Sequence, residues 1–163
     1  MSSRTKHILP MACILCLSVL LLSQQTRHEG VADIAVVVNR EVPVNGLAMY
    51  QIRRIFRGED KYWKSNLPIV LIVPAAGTRE REVMLHNIYK MNESQYKQFW
   101  LEQIFRAEAF SAPKIADSSG TANELVSSVS GCITLMSASE VRPGSKVLKI
   151  DNKLPGERGY PLR

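Results

Sequence analysis

At 163 residues, 45% of them apolar and 22% charged, the chain is bounded to one domain, and residues 33–163 suffice for one sizeable core. A net charge of +6, mild and dispersed, fits an ordinary solvated surface with a slight bias toward small anions or an anionic membrane face. Of three cysteines only Cys132 follows the N-terminal segment, which excludes a disulfide framework in the rest of the chain.

Arg4 and Lys6 make a positive start with no acid, and residues 11–22 are apolar throughout except Ser18. That run is short for a membrane span and fits the apolar core of a signal peptide. Residues 1–25 are therefore expected to direct export, either cleaved or kept as an N-terminal anchor. The expected location is periplasmic or otherwise exported, with tethering to the inner membrane as the alternative. Cys13 and Cys16 have C-x-x-C spacing inside the apolar run, with no metal ligands nearby, so no metal or lipid site is read from them. Without Arg4 and Lys6, 19 basic residues face 15 acidic ones, leaving +4.

Ile34-Ala35-Val36-Val37-Val38 is a β-branched run without alternation, which suits a strand buried on both faces of a parallel sheet. A loop at residues 42–46 precedes helical periodicity over residues 47–56, with Ala48, Ile52, Ile55 and Phe56 on one face and Gly58 as the closing residue. Residues 69–73 form a second strand between Pro68 and Pro74. A tight loop at residues 75–78 leads into a helix over about residues 79–90, with Met84, Leu85 and Ile88 inward. Asn92, with Gln95 three residues on, predicts the cap of a third helix. Its apolar face holds Tyr96, Phe99, Trp100 and Ile104. Ser118-Ser119-Gly120 leads to a fourth helix, with Thr121 and Glu124 at capping-box spacing, Leu125, Val126 and Val129 inward, and Gly131 at its end. Residues 132–136 and 147–150 read as two more strands. Residues 151–163 read as an irregular tail. The order β-α-β-α-α-α-β-β implies an α/β sheet. Phe56, Trp100, Ile72 and Val37 are expected in one core.

Several segments carry a resemblance. IAVVVN (residues 34–39), LAMYQIRRIFRGEDKYW (47–63), IVLIVPAAGTRE (69–80) and SGCITLMSASEV (130–141) are similar to the second lobe of phosphate-type periplasmic substrate-binding proteins. The Ile55-Phe56-x-Gly58 element with Trp63 is the most specific of these. The resemblance implies a single lobe of a type 2 periplasmic-binding-protein-like fold, a mostly parallel sheet flanked by helices, over residues 33–150. Two departures stand out. The family's Ser-Gly-Thr-Arg loop reads Ala76-Gly77-Thr78-Arg79, which removes a hydroxyl donor. The family's Gly-Tyr pair after Gly131-Cys132-Ile133 reads Thr134-Leu135.

The loop over residues 74–79 follows a strand and opens a helix, so exposed N–H groups and the helix dipole favour an anion there. Gly77 permits close approach, Thr78 offers a hydroxyl, and Arg79 offers a planar guanidinium. Ser119 and Thr121 form a second helix start of similar chemistry. For both loops the plainer alternative is a capped helix with solvated side chains. His28 and His86 have no evident partner. Glu80, Glu82, Arg79 and Arg81 read as a solvated charged face. No metal-ligand spacing, nucleophile elbow or Walker pattern is present, so no enzyme, metal or cofactor is expected. Arg53, Arg54 and Arg57 form a basic helix face, but export argues against nucleic acid. Two readings remain. One is a weak binder of a small oxyanion such as phosphate, used in ABC transport or sensing. The other is an envelope interaction module without a ligand. Either could engage a membrane transporter, a sensor or a second copy of the chain.

Overall fold

The computed structural model describes residues 32–163, so the leader expected at residues 1–25 lies outside the described residues. Five strands form the main sheet: β1 (Ile34–Val38), β3 (Val70–Pro74), β4 (Lys114–Ala116), β5 (Cys132–Ser137) and β6 (Lys146–Val147), in the order β4-β3-β5-β1-β6. β3 runs parallel to both β4 and β5. β1 opposes β5, pairing Val36 with Leu135, and also opposes β6. Four strands therefore share one direction and β1 alone runs against them. Its five residues are at most 1% exposed, because both faces of the sheet are covered. The run reads as a doubly buried strand for that reason, although β1 itself is antiparallel to its neighbours.

Period-2 alternation splits the interior into two layers, rather than the one core expected. Ile34, Val36 and Val38 of β1 join Val73, Ile133 and Leu135 against Phe56 and Trp100. Ala35 and Val37 join Ile72, Cys132 and Met136 against Ala122 and Val126 on the other face. Phe56 and Trp100 are thus separated by the sheet from Ile72 and Val37.

The helices are α1 (Met49–Phe56), α2 (Arg79–Val83), α3 (Glu93–Phe105) and α4 (Ser119–Ser128). α1 starts two residues later than the periodicity suggests, because Gly46–Leu47 (β2) is drawn into a parallel pair with β7 (Lys149–Ile150). α2 passes into a π-helical stretch, Met84–Tyr89, which ends at Lys90 in the left-handed region. Met84, Leu85 and Ile88 are buried as expected. The Asn92–Gln95 capping box forms, with both hydrogen bonds at 2.9 Å. Tyr96 and Trp100 are buried, but Ile104 is exposed, so the α3 stripe is only partly core. α4 is capped by Ser118, whose hydroxyl accepts from the Thr121 N–H at 3.1 Å. The expected Thr121 cap is corrected accordingly. α4 ends at Ser128, and Gly131 lies in the turn that opens β5.

The strand expected over residues 147–150 is two short strands, because Leu148 turns fully into the core between them. β4 was not expected. The segment after Ile150 holds no helix or strand, yet Tyr160 and Leu162 are buried, and the Tyr160 hydroxyl donates to the Ile34 carbonyl at 2.8 Å. Among the described residues no helix is long and apolar enough to cross a membrane.

Candidate functional site

The crossover from β3 to β4 runs through α2 and α3 on one face of the sheet, and the crossover from β4 to β5 runs through α4 on the other. Adjacent loops after β3 and β4 therefore leave in opposite directions and open a crevice at the carboxyl ends of the strands. That is where open α/β sheets hold ligands. A pocket of about 330 Å³ lies there, lined by Thr78, Glu80, Asp117, Ser118, Ser119 and Glu140 over a floor that includes Pro74, Ala116 and Leu135.

The helix starts explain how each side chain is held. The Thr78 hydroxyl donates to the Ala75 carbonyl at 2.8 Å and accepts from the Arg81 N–H at 3.2 Å, so its one proton is committed to the cap. The Ser119 hydroxyl donates to Glu140. Ser118 caps α4 and lies 3.1 Å from the Thr121 hydroxyl. Gly77 has φ +83 with open space about its α-carbon. Arg79 turns its Nη1 to the Ala32 carbonyl at 2.6 Å. Of the five residues singled out in the sequence, Thr78 and Ser119 line the pocket together, while Gly77, Arg79 and Thr121 stand outside its lining.

The electrostatic lining is acidic. Glu80, Asp117 and Glu140 border the pocket, and its lining contains no Lys or Arg among the described residues. Sequence reasoning missed all three. Glu80 reads as part of a solvated face, Asp117 is the single residue between β4 and the Ser118 cap, and Glu140 arrives from a 3-10 turn (Ala138–Glu140). Arg81 also departs from the solvated-face reading. It is 4% exposed, lies 4.0 Å over the Tyr96 ring, and forms a bidentate pair with Glu93 at 3.0 and 2.9 Å. Burial alone would lower its pKa, but the Glu93 hydrogen bonds and Tyr96 outweigh that and raise it. The same hydrogen bonds hold the Glu93 carboxyl below its ordinary value, against a smaller opposing effect of burial.

No family model matches the chain. Among solved structures it is similar to a phosphate-ABC-transporter-type substrate-binding protein from Clostridium perfringens that holds phosphate, at 23% identity and TM-score 0.60, over 74% of this chain and 46% of that one. It is also similar to an ABC-type phosphate transport receptor from Vibrio cholerae, at 16% identity and TM-score 0.60, over 76% and 48%. PstS from Borrelia burgdorferi matches at 13% identity and TM-score 0.59, over 76% and 49%. The chain spans about half the length of these proteins. The likeness establishes the fold, a mixed α/β lobe of periplasmic-binding-protein type.

Proposed function

We propose that this chain is an exported, single-lobe substrate-binding-protein-like domain that holds a small oxyanion of the phosphate class, weakly, for transport or sensing. It is not an enzyme in this reading. The observation that carries it is the position of the pocket between the starts of α2 and α4, at the carboxyl ends of β3 and β4. The anion would be met by the backbone N–H groups of Gly77, Arg79 and Ser119, since the Thr78 N–H donates to the Ala75 carbonyl and the Thr121 N–H to the Ser118 hydroxyl. The Ser119 hydroxyl would join on leaving Glu140, and the Arg79 guanidinium on leaving Ala32. Three carboxylates at the rim repel a fully ionised ligand, so a protonated oxyanion is favoured. One lobe leaves the ligand open to water, which puts the dissociation constant nearer millimolar than micromolar. The structural neighbours named for phosphate transport support the ligand class and an ABC transporter as partner.

The test is thermal melting and calorimetric titration with phosphate and sulfate. Preferential binding to the folded state should raise the melting temperature, and Ser119→Ala and Arg79→Ala should each reduce the rise. No shift with any oxyanion at millimolar concentration would end this reading. Export is tested by fractionation and intact-mass analysis, where full-length cytoplasmic protein is the contrary outcome.

One observation favours the interaction-module reading. Leu101, Phe105, Phe110 and Ile115 are exposed by 47%, 81%, 106% and 56% around α3 and the β4 edge. An apolar surface of this kind suits a protein partner. Loss of a complex with an envelope partner on Phe105→Asp, with no oxyanion response, would select that reading.

A further inference from the structure

The cations missing from the α2/α4 pocket are gathered at the other end of the sheet. β1 runs against β5, pairing Val38 with Ile133, so the chain leaves β1 beside the start of β5. A pocket of about 470 Å³ opens there, lined by Val38 to Glu41, by Val126 and Ser127, and by Arg142 to Lys146. We propose that Arg40, Arg142 and Lys146 form a second anion site in this pocket, for a phosphate-type oxyanion, either free or carried on a lipid headgroup.

The side chains are seated for that role. Arg40 donates from Nε and Nη2 to the Gly144 carbonyl, at 3.1 and 2.8 Å. Both bonds fix the guanidinium plane, and Nη1 has no partner among the described residues. Gly144 has φ +82, in the left-handed region that favours glycine, and a β-carbon there would meet the tip of Arg40, 2.8 Å from Nη2. Lys146 Nζ donates to the Val42 carbonyl at 2.5 Å, which leaves two of its three donors. Among the described residues the Arg142 guanidinium makes no hydrogen bond, and the Glu124 carboxylate lies 3.9 Å from it, too long for one. Against these three cations the pocket lining sets one carboxylate, Glu41, which accepts from the Ser130 hydroxyl. The Asn39 amide is already used, donating to Val126 and Ser127 carbonyls and accepting from the Glu41 N–H. Arg40 and Lys146 are anchored on backbone carbonyls, and a bound oxyanion would accept the N–H bonds that these two groups and Arg142 have left.

The experiment follows backbone amide resonances of the full-length chain during titration with inorganic phosphate. A parallel arm measures sedimentation with phosphatidylglycerol or phosphatidylcholine vesicles. The proposal expects millimolar phosphate to move the amides of residues 40–42, 142 and 144–146, or phosphatidylglycerol but not phosphatidylcholine vesicles to sediment the chain. Arg40→Gln and Lys146→Gln should each weaken that response about tenfold, as loss of a charge-assisted bond does, while amide resonances outside these two loops keep the positions they have in the wild-type chain. A response to phosphate identifies a free ion as sufficient; a response to phosphatidylglycerol only identifies the headgroup. Vesicle binding driven by the leader would be indifferent to both substitutions. Binding that survives both substitutions, or still amides with phosphate together with no sedimentation on phosphatidylglycerol, overturns the proposal. Shifts confined to residues 77–80 and 118–121 would overturn it while supporting the α2/α4 site.

Discussion

The indole Nε1 of Trp63 donates to the carbonyl of Gly131 at 2.9 Å, across 68 residues of chain. The same carbonyl accepts from the Val70 N–H at 3.2 Å. Trp63 is 4% exposed, and Gly131 has φ +72 with space for a β-carbon only 2.0 Å from the Pro68 carbonyl oxygen. The loop after α1 and the start of β5 are thus locked together, and β5 carries one wall of the α2/α4 pocket.

Trp63→Phe is expected to cost about 1–2 kcal/mol, since the indole bond is lost but Val70 still satisfies the carbonyl. Gly131→Ala is expected to cost more, about 3 kcal/mol, because the backbone must move and the left-handed conformation disfavours alanine. Chemical denaturation of both variants checks the order. A Gly131→Ala protein as stable as wild type would refute the steric argument.

Ile72 and Ile115 lie on paired strands, one residue apart in register, and so in opposite environments. Ile72 is fully buried in the layer under α4 and Ile115 is 56% exposed. Ile72→Ala should cost about 2–5 kcal/mol through lost contacts and a cavity. Ile115→Ala should stay within about 0.5 kcal/mol. Denaturation midpoints at unchanged slope would measure both.

Long apolar runs announced β1, β3 and β5, since each is five or six residues interrupted by no polar residue except Thr134 and the closing Ser137 of β5. β4 gave no such signal, because Lys114 and Ile115 face solvent and only Ala116 is buried. The two-layer interior was hidden for a related reason: a doubly buried strand has no polar alternation to separate its faces. Tyr160 and Leu162 were unreadable as core because no periodicity surrounds them, and only tertiary contact with Ile34 gives them a place. The helix start at Thr78 was legible from turn chemistry, and that of α4 only to within a few residues, because the cap falls on Ser118 and not on Thr121. The direction of Arg79, the Ser119–Glu140 bond and the pairing of Arg81 with Glu93 depend on distant segments, which local sequence does not encode.

The acidic rim gives the proposed oxyanion site a distinctive response. Asp117 and Glu140 line the pocket with no cation in the lining. Asp117→Asn should therefore tighten phosphate binding, by about three- to tenfold, through removal of a repelling charge. The effect should shrink as salt is raised. Calorimetric titration of wild type and variant at low and high ionic strength measures it, and weaker binding by the variant would mean that Asp117 serves as an acceptor.

Cys132 is fully buried at the start of β5, and burial pushes its thiol up to about 12. The thiolate is the reactive form, so Cys132 should resist iodoacetamide at pH 8 in the folded chain and react once denaturant unfolds it. Peptide mass mapping distinguishes this residue from Cys13 and Cys16. Rapid native alkylation at Cys132 would mean that β5 opens locally.

The Arg81–Glu93 pair should make stability depend on pH in one direction. Hydrogen bonds from Arg81 depress the Glu93 pKa below its ordinary 4.5 in the folded state. A depressed carboxyl contributes stability that is present above the unfolded value and is lost as pH falls through the folded one. Arg81 stays charged throughout that window, since its own pKa is raised. Glu93→Gln should then destabilise the chain by about 3 kcal/mol at pH 7, because a buried guanidinium loses its counter-charge. Below the folded Glu93 pKa the wild-type carboxyl is neutral too, so the two stability curves should converge. Replacing both partners, Arg81→Met with Glu93→Leu, removes the stranded charge and should cost much less than Glu93→Gln alone. Urea denaturation from pH 7 down to pH 3 follows all three proteins. A constant gap between wild type and Glu93→Gln across that range would show that the pair's contribution is not electrostatic.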